Sequence, residues 1–330
     1  MTAVARQPGF VRADFSIASS AAPWLALHLH AVAPQEPVAR AVLLLHGATL
    51  PSFIFDMRLP GCSVQERLAA AGWATYALDA RGFGRSSRPT PGEAGCPEDV
   101  PFGRAHEAAA DVVDALRYLR DARGHAQLAL MGFSWGTILA ACVAARHAEL
   151  IDRLVLCAPI HACHNEAWLQ RLRDPHDPSR LSTQFGAYRW TAGEALQARW
   201  DGDIPIADKS AWRDPAVLEA VLAAALASDP LSHTRKPPGF RAPAGPADDL
   251  MHAFSGRSLF DAARIRTPVL LVRGEGDTTA TDEDARGLLD RLASDEKQYS
   301  IVAAGSHFQC LERSMPALLA ACTRFLSSAR

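Results

Sequence analysis

The stretch Leu128-Ala-Leu-Met-Gly-Phe-Ser-Trp-Gly-Thr-Ile-Leu-Ala140 sets a serine between two apolar runs. The first run is short and leads into glycine, which is typical of a buried strand. The second run continues to Ala145 and has the length and alanine-rich composition of a helix. Gly132-Phe-Ser-Trp-Gly136 therefore lies on a tight turn from a strand into a helix, the sequence context of a nucleophile elbow.

Such a turn has chemical consequences for Ser134. It forces the serine into a strained backbone conformation, and Gly132 and Gly136, which lack a Cβ, let strand and helix approach closely. The hydroxyl is then held at the carboxyl edge of the sheet, where the backbone N–H of Trp135 and the helix N-terminus favour a developing negative charge. The alternative is an ordinary buried serine in a strand–helix turn, and the partners of Ser134 decide between the two interpretations.

Length and composition indicate one large α/β domain that carries an insertion. The chain has 330 residues, of which 48% are hydrophobic and 21% charged, and its net charge is −2. That charge offers no electrostatic case for binding nucleic acid or an anionic membrane. The N-terminal residues lack the long apolar core of a signal peptide, and the seven cysteines are an odd number without paired spacing. We therefore expect a cytoplasmic protein with a small-molecule substrate and neither a nucleic-acid nor a membrane partner.

Short apolar runs alternate with helical patterns along most of the chain. Residues 10–17 and 24–32 alternate apolar with polar or small residues and predict an antiparallel opening pair. Further apolar runs predict buried strands of a mostly parallel sheet, in which functional groups gather at the carboxyl ends. Besides the run before Gly132, these strands cover residues 41–45, 73–78, 153–158, 267–272 and 299–303.

The alternation lapses between residues 160 and 256. Prolines recur there, and so do tryptophans, at Trp168, Trp190, Trp200 and Trp212. We predict that residues 160–256 form a helical cap domain, inserted after the sixth strand and folded over the carboxyl edge of a core domain made of residues 1–159 and 257–330. Within this cap, residues 218–227 predict a helix and the proline-rich residues 236–246 predict a loop.

Four predicted strand ends carry polar groups that suit acyl transfer. Ser134 follows one strand as the nucleophile, and Asp277 and His307 follow two later strands, in the chain order Ser…Asp…His. A serine hydroxyl is a poor nucleophile until an imidazole accepts its proton, and the imidazole needs a carboxylate to hold its tautomer. His46-Gly-Ala48 follows a fourth strand and would bring the backbone N–H of Ala48 opposite that of Trp135, which makes two donors for an oxyanion.

The chain resembles α/β-hydrolase-fold enzymes with a helical cap. The matching segments are Leu44-Leu-His-Gly47, Asp79-x-Arg-Gly-x-Gly-x-Ser86, Gly132-Phe-Ser-Trp-Gly136, Arg273-Gly-Glu-Gly-Asp277 and Gly305-Ser-His307. Trp135 after the nucleophile resembles the proline iminopeptidase branch, whereas the segment from Asp79 to Ser86 resembles esterases and C–C-bond hydrolases. The resemblance covers residues 38–158 and 257–330 and says little about the cap.

Several other residues have competing interpretations. Asp282 and Asp284 are rivals to Asp277 for the acid, although they lie further past the strand end. Asp79 and Arg81 are expected to brace a loop, and His46 to pack beneath the oxyanion loop. Histidines and a cysteine cluster early in the cap without strict metal spacing, so we expect no metal; these residues are His161, Cys163, His164 and His176. For the substrate pocket we predict Thr49, Trp168, Trp190 and Trp212.

These residues predict a serine hydrolase that cleaves an ester or thioester of a small, largely apolar substrate without a cofactor. One alternative is an aminopeptidase of proline iminopeptidase type, which would need an acidic group in the cap to bind a free amine, and Glu166, Glu194 and Glu219 are available. A second alternative is C–C-bond hydrolysis of a diketone. A third, of a different class, is a hydrolase-fold binding protein that has lost turnover.

Overall fold

The computed structural model describes residues 4–7 and 9–328, and eleven strands and nine α-helices lie in this part of the chain. The strands are β1 Val4–Gln7, β2 Phe10–Ala18, β3 Ala26–Pro34, β4 Arg40–Leu45, β5 Ala74–Asp79, β6 Gln127–Phe133, β7 Arg153–Cys157, β8 Tyr188–Ala192, β9 Gly239–Pro243, β10 Val269–Gly274 and β11 Lys297–Val302. The helices are α1 Val64–Ala70, α2 Ala105–Arg117, α3 Trp135–Arg146, α4 Glu166–Leu172, α5 Gly193–Asp203, α6 Pro215–Ala227, α7 Gly245–Phe254, α8 Asp282–Arg291 and α9 Met315–Ser327.

Nine strands form one sheet in the order β1-β2-β3-β5-β4-β6-β7-β10-β11. The strands from β5 to β11 in this order pair in parallel, whereas β1, β2 and β3 pair antiparallel. The predicted mostly parallel sheet and its antiparallel opening pair are therefore confirmed. Because the carboxyl ends of parallel strands meet at one edge, the segments that follow β4, β6, β10 and β11 lie at the same edge.

The apolar runs of the sequence become strands that are covered on both faces. In β4, Val42, Leu43 and Leu44 have no exposed surface, and Leu43 lies opposite Tyr76 of β5 and Leu130 of β6. Burying one such side chain contributes about 1.5–3 kcal/mol to folding. The charge-free residues 126–145 form β6 and α3, and in the described part of the chain no helix combines the length and the apolar character needed to cross a bilayer.

The strand β1 was not predicted from the sequence, and it changes the strand count. Its four residues, Val-Ala-Arg-Gln, show no clear alternation and pair only with β2 at the edge of the sheet. With β1 counted, the segment of residues 160–256 follows the seventh strand of the chain, β7, and not the sixth.

Residues 160–256, called the inserted segment below, hold α4 to α7 and a two-stranded antiparallel ribbon of β8 and β9. The helix predicted at residues 218–227 is confirmed as part of α6, which begins at Pro215 after Asp214 accepts the N–H of Ala216. The predicted loop at residues 236–246 is wrong for Gly239–Pro243, which is β9, and for residues 245–246, which begin α7. The partner of β9, the strand β8, lies about fifty residues earlier in the chain, so local composition carries no sign of the pairing.

Candidate active site

Ser134 occupies a sharp turn between β6 and α3. Its φ is 56° and its ψ −123°, a conformation that a non-glycine residue adopts only at a cost of about 1–3 kcal/mol. A Cβ on Gly132 would lie 2.3 Å from the carbonyl oxygen of Gly136, and a Cβ on Gly136 would lie 2.4 Å from that of Leu45. The expected strain at the serine and the close approach at both glycines are therefore confirmed.

A chain of hydrogen bonds joins three side chains that are remote in sequence. Ser134 Oγ lies 2.9 Å from His307 Nε2, and His307 Nδ1 lies 2.9 and 3.0 Å from the two carboxylate oxygens of Asp277. All three residues are buried, with exposed fractions of 6% or less. When Nδ1 donates its proton to the carboxylate, Nε2 is the unprotonated nitrogen and can accept the proton of the serine hydroxyl.

Asp277 is held in place by backbone donors. One of its carboxylate oxygens accepts the N–H groups of Thr279 and Ala280, each at 2.9 Å. The two rival acids point to other partners. Asp282 is half-exposed on α8 and pairs with Arg286 at 2.7 Å, whereas Asp284 is buried and accepts the N–H of His161 at 2.8 Å.

The loop after β4 lies against the serine. A Cβ on Gly47 would be 3.2 Å from Ser134 Cβ, so Gly47 and Ala48 adjoin the turn that carries the hydroxyl. Neither Ala48 nor Trp135 donates its backbone N–H to another group among the described residues, which leaves both free for a bound oxyanion. His46 braces this loop as expected, because its Nδ1 donates to the carbonyl of Gly47 and its Nε2 accepts the N–H of Ala80. Burial lowers the pKa of His46, which favours this neutral state.

A small cavity adjoins Ser134 and His307, and the inserted segment contributes part of its wall. The volume of this cavity is about 40 Å³. A single water molecule needs roughly 10–15 Å³ by the same measure. Most lining groups are apolar: Gly47, Ala48, Thr49, Leu50, Ile54, Phe133, Ser134, Trp168, Leu196, Arg199, Leu250, Thr279, His307, Phe308 and Leu311. Of the predicted pocket residues, Thr49 and Trp168 belong to this wall.

Trp190 and Trp212, the other two residues predicted for the pocket, do not line this cavity in the described part of the chain, and their contact with substrate stays a prediction. Trp190 lies in β8, where the guanidinium of Arg235 covers its ring at 4.9 Å. Trp212 packs beside Gly276, and its carbonyl accepts the N–H of Arg313 at 2.9 Å. Both tryptophans contribute to packing of the inserted segment, and aromatic content alone does not distinguish that role from a pocket wall.

Comparison with known proteins identifies the family of the chain. Residues 40–314 match a family model described as alpha/beta hydrolase fold. The chain belongs to the α/β-hydrolase fold family. A haloalkane dehalogenase from Mycobacterium marinum is 29% identical over 140 residues, which span 42% of this α/β hydrolase and only 40% of that protein.

Two solved structures show the same fold over nearly the whole chain. An enol-lactonase from Burkholderia xenovorans is 20% identical, with a TM-score of 0.62 and coverage of 95% of this chain and 100% of that one. A thermophilic esterase from Thermogutta terrifontis is 17% identical, with a TM-score of 0.64 and coverage of 95% and 97%. At these identities the likeness concerns the fold.

Two arginines beside the candidate active site of this α/β hydrolase were not predicted from the sequence. Both come from the inserted segment. Arg199 of α5 lines the cavity, and its guanidinium lies over the rings of Trp168 at 4.5 Å and Phe308 at 5.4 Å. Arg189 of β8 donates from Nη2 to the carbonyl of Ala48 and to the hydroxyl of Thr49, each at 2.6 Å. No local motif marks either residue, since both stand in mixed polar sequence.

A buried glutamate was also missed. Glu312 accepts hydrogen bonds from the indole Nε1 of Trp200 in α5 and from the N–H of Ser306, each at 2.8 Å. Ser306 precedes His307, and Trp200 stacks on Phe308 with ring centroids 4.8 Å apart. Glu312 therefore ties the inserted segment to the loop that carries the histidine.

The remaining candidates have structural partners. Asp79 accepts the N–H groups of Ser52 and Arg85, each at 2.9 Å, and Arg81 pairs with Asp111 through two hydrogen bonds. Both therefore brace loops, as expected. Within residues 4–7 and 9–328, no group of three or more His, Cys, Asp or Glu side chains is arranged to hold a metal ion.

Proposed function

We propose that this α/β hydrolase is a serine hydrolase that cleaves an ester or thioester bond of a small substrate through an acyl-enzyme on Ser134. The observation that carries the proposal is the buried hydrogen-bonded chain from Ser134 through His307 to Asp277. A binding protein without turnover has no need to keep a strained serine within 2.9 Å of an oriented imidazole.

Each residue then has a role in the reaction. Ser134 Oγ attacks the carbonyl carbon while His307 Nε2 takes its proton, and Asp277 stabilises the imidazolium that forms. The N–H groups of Ala48 and Trp135 bind the tetrahedral oxyanion. The intermediate collapses as the histidine returns the proton to the leaving alcohol or thiol, and a water repeats the sequence to release the acid and free Ser134.

The cavity supports a compact substrate and a covering role for the inserted segment. Trp168, Leu196, Arg199 and Leu250 come from residues 160–256 and line the cavity together with core residues such as Ile54 and Leu311. We therefore keep the division into a core of residues 1–159 and 257–330 and a cap of residues 160–256. The mostly apolar wall suits a hydrocarbon chain on the substrate.

The aminopeptidase alternative has less support. Glu166, Glu194 and Glu219 are all exposed, and none belongs to the cavity wall that the structure describes. Glu166 is already paired, with His164 and Arg173 at 3.3 Å. None of these three carboxylates would therefore lie beside an amine bound in the cavity.

The test is covalent labelling combined with a substrate panel. A fluorophosphonate should label the wild-type protein at Ser134, located by peptide mass spectrometry, and should not label the Ser134→Ala variant. Purified protein should hydrolyse p-nitrophenyl esters or acyl-thioesters faster than proline p-nitroanilide. Labelling at another residue, or a preference for the anilide over every ester, would contradict the proposal.

A further inference from the structure

We propose that Arg199 binds a carboxylate of the substrate, so that the preferred esters carry a free carboxylate beside the scissile bond. This inference rests on the proposed serine hydrolase function and names the substrate class within it. Among the groups that line the cavity, Arg199 is the one permanent charge in an otherwise apolar and hydroxyl-bearing wall, within the described part of the chain. A wall built for a purely apolar substrate would have no use for that charge.

Arg199 is partly buried and, among the described residues, lacks a close carboxylate partner. Its Nη2 lies 3.5 Å from the hydroxyl of Thr279, which is a weak contact, and its Nε is buried without an acceptor. Among the side chains that the structure describes, none forms an ion pair with it. Burial lowers the pKa of Arg199, while the more distant Asp203 and Asp277 partly offset this effect. Asp277 is already committed to His307.

A second partly buried cation, Arg189, lies close by. Arg189 donates from Nη2 to neutral oxygens of Ala48 and Thr49. The Nε atom of Arg189 is buried without an acceptor. Burial and, to a smaller extent, the nearby charge of Arg199 together lower the pKa of Arg189 to about 10. The attraction of Asp203 and Asp277 offsets only part of the cost of placing Arg199 beside a second, neighbouring cation in partly buried positions. An anion in the cavity would offset that cost, which makes the pair a candidate binding site.

The chemistry of Arg199 favours a carboxylate as that anion. A guanidinium presents its N–H groups as a planar fork that matches the two oxygens of a carboxylate. The ring contacts with Trp168 and Phe308 hold the guanidinium in one place, and Thr49 and Thr279 add hydroxyl groups to the same wall. The cavity of about 40 Å³ has room for a compact group of this kind.

The experiment compares each ester that carries a free carboxylate with the neutral methyl ester of the same compound. On the acyl side, mono-p-nitrophenyl glutarate is paired with its methyl ester, and on the alcohol side 4-acetoxybenzoate is paired with its methyl ester. In at least one pair, kcat/KM should be about 10- to 100-fold higher for the carboxylate, since a hydrogen-bonded charge pair is lost in the neutral ester. The pair that responds tells which side of the scissile bond carries the carboxylate.

Variants then assign the preference to Arg199. Arg199→Met should remove the difference in kcat/KM between the two members of the responding pair. Arg199→Lys should keep part of that difference. Arg171→Met is the matched control, because Arg171 lies over the same Trp168 ring at 5.5 Å but is exposed and outside the cavity wall, and it should keep the ratio.

The outcomes separate this inference from the proposed function. Absence of any charge preference in wild type, or an equal loss for charged and neutral esters in Arg199→Met, would overturn the carboxylate site while esterase activity remains. Absence of all ester turnover and of fluorophosphonate labelling would instead overturn the proposed function.

Discussion

Trp200 Nε1 donates a hydrogen bond of 2.8 Å to Glu312 Oε1, across the boundary between the inserted segment and the core. The second carboxylate oxygen of Glu312 accepts the N–H of Ser306, the residue before His307. Burial raises the pKa of Glu312, and the hydrogen bonds from Ser306 and Trp200 only partly offset this effect. The buried Glu312 therefore links the inserted segment to the loop that carries the proposed catalytic histidine.

This raised pKa predicts a pH-dependent difference between wild type and Glu312→Gln. Above the ordinary value near ~4.3, the folded protein still holds the Glu312 proton that the unfolded chain has released. Wild-type stability therefore falls as pH rises through this window. Because glutamine cannot ionise, the free energy of unfolding of Glu312→Gln minus that of wild type should increase from pH 4 to pH 7 in urea titrations. A difference that stays constant or decreases would show that the buried carboxylate is not costly to ionise.

Removing the nucleophile or the base should nearly abolish turnover. Ser134→Ala and His307→Ala should each lower kcat on the order of a million-fold, because the three side chains act as a unit. Steady-state hydrolysis of a p-nitrophenyl ester measures this loss, with melting temperatures to show that each variant is folded. If Ser134→Ala kept a tenth of wild-type turnover, Ser134 could not be the nucleophile.

The choice of acid gives a matched pair of variants. Asp277→Asn should lower kcat around ten-thousand-fold, because an amide that donates to Nδ1 selects the wrong imidazole tautomer. Asp282→Asn should leave kcat nearly unchanged, since Asp282 is half-exposed on α8 and contacts Arg286 and Tyr299. The same ester assay measures both, and the reverse ranking would move the acid to Asp282.

Arg189 should support the loop that carries one oxyanion donor. Arg189→Met removes its hydrogen bonds to the Ala48 carbonyl and the Thr49 hydroxyl. We expect kcat/KM for a neutral ester to fall roughly 10- to 100-fold, because hydrogen bonds from a charged donor are lost. Arg235→Met is the control, because Arg235 is exposed and covers Trp190 of the same ribbon strand without contacting the loop. Equal effects of the two substitutions would point to general destabilisation of the ribbon.

Two glycines test the close approach at the elbow. In Gly136→Ala the new Cβ would lie 2.4 Å from the backbone oxygen of Leu45, which has no room to move. We expect a loss of about 1–3 kcal/mol or more in the free energy of unfolding, together with reduced labelling of Ser134. At the exposed position Gly202 of α5, the new Cβ of Gly202→Ala meets nothing within 4 Å, and the substitution should be neutral or stabilising by about 0.5–1 kcal/mol. Chemical denaturation measures both, and equal stabilities would contradict the steric argument.

Much of the core could be predicted because its signals are local. Each functional group stands directly after an apolar run, so recognising the run as a strand also places the group at a strand end. Parallel pairing then brings Ser134, Asp277 and His307 to one edge although up to 173 residues separate them in the chain. The same reasoning favoured Asp277 over Asp282, because Asp277 follows β10 more closely.

By itself, then, the sequence determined most of the strands of the core, the elbow at Ser134 and the residues at four strand ends, since short-range patterns encode all of these. Only the tertiary structure decided which residues of the inserted segment line the cavity. The pairing of β8 with β9, the inward position of Arg199 and the packing positions of Trp190 and Trp212 depend on contacts between remote parts of the chain. A side chain in mixed polar sequence carries no periodic sign of its direction, so packing alone determines whether an arginine faces solvent or the cavity.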